Sequence, residues 1–274
     1  MKRRILLPLI GCLVAIGLAG AGGQVAAQQG RGGTIVGHVR LMGPSPGNVV
    51  IRMGMDPFCA KLTRGTRVIQ QAVVTSQDGG LANVFLSVVG SFPQTPVPVE
   101  PVVIDQQGCI YHPRVVGARM GQTLQIKSSD QTLHNVHGVS AKENGFNVGQ
   151  PQAGMVFKFQ LKSEEVMLHL TCDVHRWMTG FVGVVSHPYF AVSGDGGAFT
   201  IPNVPAGKYT VRAWHERYGP ITQIVQVQAG RMTTLDFSYT GNEKPSAGKG
   251  IAVQDVVVPD RAMTAQLLAP AFQH

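Results

Sequence analysis

Apolar residues recur along this chain in short runs that alternate with polar ones, and almost nowhere at the three- and four-residue spacing of an amphipathic helix. "GTIVGHVRL" opens the pattern near residue 34. "NVVIRM", "RVIQQAVV", "NVFLSVVG", "PVPVEPVVI", "QTLQIKSS", "MVFKFQL", "VMLHLTC" and "GFVGVVS" follow, rich in Val and Ile and separated by Gly, Pro, Asp and Asn. Period-two runs at this spacing predict strands of a Greek-key β-sandwich, with "AKLTRGTR" supplying no more than a helical turn. A second unit begins at "HPYFAVSGDGGAFTIPNVPAGKYTVRAWHERYG", where Phe199 and Ile201 share one face and Tyr209, Val211 and Ala213 another strand's face. With "TQIVQVQAGRMTTLDFSY" it predicts a small antiparallel sandwich ending near Tyr239. The expected organisation is all-β: a sandwich with an N-terminal extension over 34–186, a second over 187–240, and a flexible tail over 241–274 in which "IAVQDVVV" offers an edge strand.

Composition agrees with that architecture. The 274 residues are 44% hydrophobic and 14% charged, with 34 Gly and 17 Pro, which suits a turn-rich β protein and excludes a disordered chain or a helical bundle. The first residues read as a leader: "MKRR" is a basic n-region, "ILLPLIGCLVAIGLAG" an apolar run, and Val25-Ala26-Ala27 a small-residue cleavage site. A signal peptide over 1–27 is expected, which makes the mature chain periplasmic or secreted and without a membrane span. Lipid attachment at Cys12, in "LIGC", and an uncleaved anchor are the rivals. Losing Lys2, Arg3 and Arg4 with the leader lowers the net charge from +8 to +5. That charge forms no basic stripe with interleaved aromatics, which argues against nucleic acid.

Three cysteines then remain: Cys59, Cys109 and Cys172. In an oxidising compartment an odd count implies one disulfide and one thiol kept for another purpose. Cys59 in "MDPFCAK" and Cys109 in "QQGCIYHP" lie in Gly/Pro-flanked turns and form the natural pair. Cys172 closes a strand in "LTCDVHRWMTGFVGVV", where Cys172, His175 and Met178 stand at three-residue intervals. One loop can thus present thiolate, imidazole and thioether to one point. Upstream, "SSDQTLHNVHGVS" offers a further imidazole from His134 or His137, residues that strand alternation turns to opposite faces. Two imidazoles, a thiolate and a weak thioether suit mononuclear electron-transfer copper, and thioether is a poor ligand for zinc. No Ser/His/Asp set, paired carboxylates or phosphate-cradling glycine loop asks for an enzyme.

These residues carry a family resemblance. Cys172-Asp-Val-His175-Arg-Trp-Met178-Thr-Gly180, running into a Val-rich strand, and His134-Asn135-Val136-His137 resemble the ligand loop and first-ligand segment of cupredoxins, most closely those of amicyanin type. The resemblance spans about residues 120–186. It implies one copper ion cycling between Cu(I) and Cu(II) on His134, Cys172, His175 and Met178. Asn135 would tie the two ligand segments together, and His137 would be a non-ligand. Arg176 stands where such loops commonly carry proline. Residues 187–239 resemble the carboxypeptidase regulatory-like, transthyretin-type sandwich, a module usually accessory. The implied function is an exported blue-copper electron carrier, with one edge of His175 near the surface. Arg176 and Trp177 would form its docking patch, biased toward acidic redox partners. The alternatives are a periplasmic copper-transport or storage protein and a non-catalytic binding module with a structural copper site.

Overall fold

Two strands from the first ninety residues set the architecture of the far end of the chain. The structure, a computed structural model, describes residues 32–243. The expected leader with Cys12, and the tail beyond residue 243 with its expected edge strand, lie outside the described residues. Strand β1 (Gly33–Leu41) is flanked by strands that arrive much later. It pairs antiparallel with β13 (Ala198–Val204) and parallel with β16 (Met232–Thr234) and β17 (Phe237–Tyr239). Strand β2 (Phe85–Val89) lies between β12 (Phe190–Val192) and β14 (Gly207–His215), with β15 (Gly219–Val227) beyond. Alternation aims Ile35 and Val39 of β1, Leu86 and Val88 of β2, Ile201, Val211 and Phe237 into one core between these two sheets.

The strands between β2 and β12 build a separate sandwich. One sheet has the order β5 (Val115–Arg119), β11 (Thr179–Val185), β10 (Glu165–Thr171), β7 (His134–Val139), β8 (Phe146–Gln150). The other runs β4 (Ile110–His112), β3 (Val102–Gln107), β6 (Thr123–Ser128), β9 (Val156–Gln160). Ile104, Leu124, Ile126, Val136, Leu168, Leu170 and Val182 fill the space between them. The chain therefore starts one sandwich, completes another, and returns to finish the first.

This arrangement corrects the expected division at 186/187. Residues 34–41 and 85–89 do not extend the 34–186 unit; they are strands of the later sandwich. Alternation shows that a segment is a strand with one buried face, but it does not name a partner more than a hundred residues away. "NVVIRM" and "RVIQQAVV" form no full strands: only Val50 and Ile69 make a bridge. Between them α1 (Pro57–Leu62) forms, started by Asp56 as N-cap with Pro57 behind it, in place of the expected single turn.

The two sandwiches meet along β5 and β11. Gly117 and Gly183 are register partners there, and a Cβ on either would overlap the Phe190 or Phe85 ring. Phe181 packs on Trp214 at 5.1 Å between centroids. Beside them Arg114 forks onto Glu216, with Nε–Oε1 at 2.5 Å and Nη2–Oε2 at 2.8 Å. No helix among the described residues is long and apolar enough to cross a membrane.

Candidate metal centre

Strand β7 has the burial rhythm in–out–in, so His134 and Val136 face the core while His137 does not. Its neighbour β10 ends at Thr171 and delivers Cys172, and the loop that follows returns His175 and Met178 to the interior. The thiol and the two imidazoles converge: His134, Cys172 and His175 each offer a donor atom within 4.8 Å of the others. The two Nδ1 atoms face one another at 2.9 Å. Met178 is buried in the same apolar cluster as Cys172, its N–H bonded to the His175 carbonyl at 2.8 Å.

Cys172 is a free thiol dressed with donors. The backbone N–H groups of Asn135 and His175 approach Sγ at 3.4 and 3.3 Å. Burial alone would push this thiol up, but hydrogen bonds from His134, His175 and those two N–H groups hold it down at about 6. A thiolate at neutral pH follows. The Asn135 side chain accepts from the Asp173 N–H at 2.8 Å, so Asn135 joins the two ligand segments through both its backbone and its amide. His137 is half-exposed and pairs with Asp173 at 3.1 Å, away from the sulfur.

Two carboxylates absent from the expected set close the site from outside. His134 Nε2 lies 2.9 Å from Asp130 Oδ2, and His175 Nε2 lies 3.0 Å from Asp56 Oδ2. Burial would lower His134, but the bonds to Asp130 and Cys172 outweigh it and raise the imidazole to about 9. Asp130 accepts from the N–H groups of Gly108 and Cys109, both at 2.8 Å, which form the two-residue left-handed turn between β3 and β4. Asp56 accepts from Cys59 N at 2.8 Å and from the Thr132 hydroxyl at 2.9 Å. Cys59 and Cys109 are joined, closing a loop of 50 residues. "MDPFCAK" reads as a turn, and nothing in the sequence signals that its aspartate caps a helix and reaches an imidazole over a hundred residues away.

The covered edge overturns one expectation. His175 is only 2% exposed; Asp56, the disulfide and Trp177 enclose it, because the segment before β2 folds over the loop. Trp177 is likewise half-buried rather than presented as a docking face: its Nε1 donates to the Cys109 carbonyl at 2.9 Å. Arg176 is exposed, beside the exposed Val174 and Asp173.

Donor chemistry here fits copper. A thiolate and two imidazoles held by their far nitrogens, with Met178 buried in the same cluster, form a soft-to-borderline set. Other clusters that include Asp56 or Asp130 share Cys59 or Cys109, whose sulfurs are bonded to each other.

Residues 182–240 match the model of the carboxypeptidase regulatory-like domain. No curated protein sequence matches the chain. Similar solved structures include a purple cupredoxin from Nitrosopumilus maritimus, at 20% identity over 30% of this chain and 98% of that one, TM-score 0.27. A copper-containing nitrite reductase from Thermus scotoductus is similar at 18% identity over 35% of this chain and 24% of that one, TM-score 0.27. The Cu(I) form of an amicyanin variant is similar at 18% identity over 36% of this chain and 98% of that one, TM-score 0.29.

Proposed function

We propose that this chain binds one copper ion through His134, Cys172 and His175, with Met178 as a weak fourth donor, and passes single electrons between exported redox partners. The observation that carries the reading is the convergence of one free, buried thiol and two imidazole nitrogens from separate segments within 4.8 Å. Bound there, copper supplies a one-electron Cu(I)/Cu(II) couple. The protein's part is to keep the donors fixed. The N–H groups of Asn135 and His175 hold the sulfur as thiolate, and Asp130 and Asp56 fix the tautomer of each imidazole. A site held this rigidly needs little rearrangement when its charge changes. Because the outer edge of His175 is covered, electrons must leave through the loop surface. Trp177, 4.9 Å from His175 between centroids and partly exposed, lies on that route. Arg176 would orient acidic partners.

The same covering favours a second reading, a periplasmic copper carrier or store, in which Asp56 and the disulfide segment retain the metal. A mature protein titrated with Cu(II) tests the first claim. An intense visible thiolate-to-copper band with narrow EPR hyperfine splitting is expected; Cys172→Ser should abolish it and His137→Ala should leave it intact. A pale tetragonal spectrum would refute the site. Reversible reduction and reoxidation with the metal retained supports electron transfer, whereas ready loss to a Cu(I) chelator supports carriage.

A further inference from the structure

The two imidazoles of the candidate centre are held in matching ways. In each, Nδ1 points inward while Nε2 meets a carboxylate: Asp130 for His134 at 2.9 Å and Asp56 for His175 at 3.0 Å. Each carboxylate is in turn fixed by the backbone N–H of a half-cystine, Cys109 for Asp130 and Cys59 for Asp56, both at 2.8 Å. The disulfide between those cysteines joins the two relays into one frame. Neither aspartate lies in the ligand loop or on a ligand strand. Asp56 comes from the segment ahead of β2, and Asp130 from the turn between β6 and β7.

Resting on the copper reading above, we propose that Asp56 and Asp130 are positioning residues which hold the two imidazole ligands and favour the cupric over the cuprous state, with Cys59–Cys109 tying them together. The physical reasoning has two parts. A carboxylate accepting a hydrogen bond from Nε2–H fixes the tautomer, leaves the Nδ1 lone pair facing inward, and makes that nitrogen a stronger donor. Two negative charges one imidazole away also stabilise a dication more than a monocation. Their effect is little screened, because His134 and His175 are both almost fully buried. A merely structural role for the aspartates, as a turn brace and a helix cap, would not act on the metal's oxidation state.

Two measurements on the mature full-length protein decide the matter. In the metal-free protein, nitrogen-15 spectra of the histidines should show two slowly exchanging Nε2 protons. One should be lost in Asp130→Ala and the other in Asp56→Ala. In the copper form, Asp130→Asn and Asp56→Asn keep an acceptor but remove the charge. Each should keep the visible band, raise the midpoint potential and weaken Cu(II) retention by about 10- to 100-fold. Lys127→Gln, which removes a surface charge paired with Asp105, should change neither. The proposal is overturned if the Nε2 protons survive both alanine variants, or if the potential stays put in both asparagine variants while the band persists. A wild type that takes up no copper would refute the functional reading instead, and the imidazole protons would still show whether the aspartates position the rings.

Discussion

His134 and His137 stand three apart on one strand, and that spacing alone separates their fates: one reaches the sulfur, the other pairs with Asp173 near the surface. Such a distinction is legible in sequence because strand geometry is a local rule. The same holds for His169, three residues before Cys172, which turns away to stack on Phe181 at 4.8 Å and bond Thr179 at 2.7 Å. Burial, with Arg114 nearby, holds His169 at about 4, and burial with Arg114 and Arg217 holds His215 at about 3, against an ordinary 6.5. The unfolded chain therefore takes up these protons before the native one does, so stability falls as pH falls. The loss should be absent above about pH 6.5, grow as pH falls through 4, and level off only below about 3. Thermal melts of the metal-free protein across that range should show it, and His169→Gln should flatten the slope. A melting temperature independent of pH between 6.5 and 4 would contradict this account.

Elements came through less evenly. Strands β6, β9, β10 and β11 coincide closely with the apolar runs that announced them: β6 and β10 bury one face, β9 half-buries one, and β11 is buried on both. The 45–75 region misled: its valines and isoleucines suggested strands, yet the chain there forms a short capped helix and a cover. Val49 and Ile69 stay largely exposed, while Met53 and Cys59 pack against Cys109. What a cover lies upon depends on a cross-link and on contacts at long range, which periodicity does not encode. The disulfide should hold this element in place. Removing it with Cys59→Ser and Cys109→Ser should cost about 4 kcal/mol by loop-closure entropy. It should also speed copper loss to a chelator while the visible band survives. Denaturant melts and chelator-competition kinetics measure the two effects separately. An unchanged rate of copper loss would mean that the cover does not guard the site.

At the scale of the molecule, the sandwiches are coupled through a buried ion pair and an aromatic seam. Arg114 sits beside β5 and Glu216 follows β14, with side chains 11% and 5% exposed. Burial pushes the Glu216 carboxyl up and the Arg114 guanidinium pulls it back. Arg114→Ala should therefore strand an unpaired carboxyl and destabilise the protein by about 3–5 kcal/mol, read by denaturant unfolding. The double replacement Arg114→Met with Glu216→Leu should recover much of that loss; if it does not, the pair contributes more than mutual neutralisation. Neither residue advertises its partner in the sequence, because nothing local distinguishes a buried arginine from a solvated one.

The nesting of one sandwich within the other sets an order of assembly. While the chain is being made, β1 and β2 emerge before any of the strands they pair with, the last of which ends only at Tyr239; residues 79–81 alone meet the end of β1 early, through the Arg40–Gly80 bridge. The middle unit, 102–185, has all of its own strands and can close meanwhile. Most of the edges of these two early ribbons must therefore stay unpaired through the synthesis of about a hundred residues. Any holding factor that protects nascent edges would act at β1 and β2 rather than at the Cys172–Met178 loop.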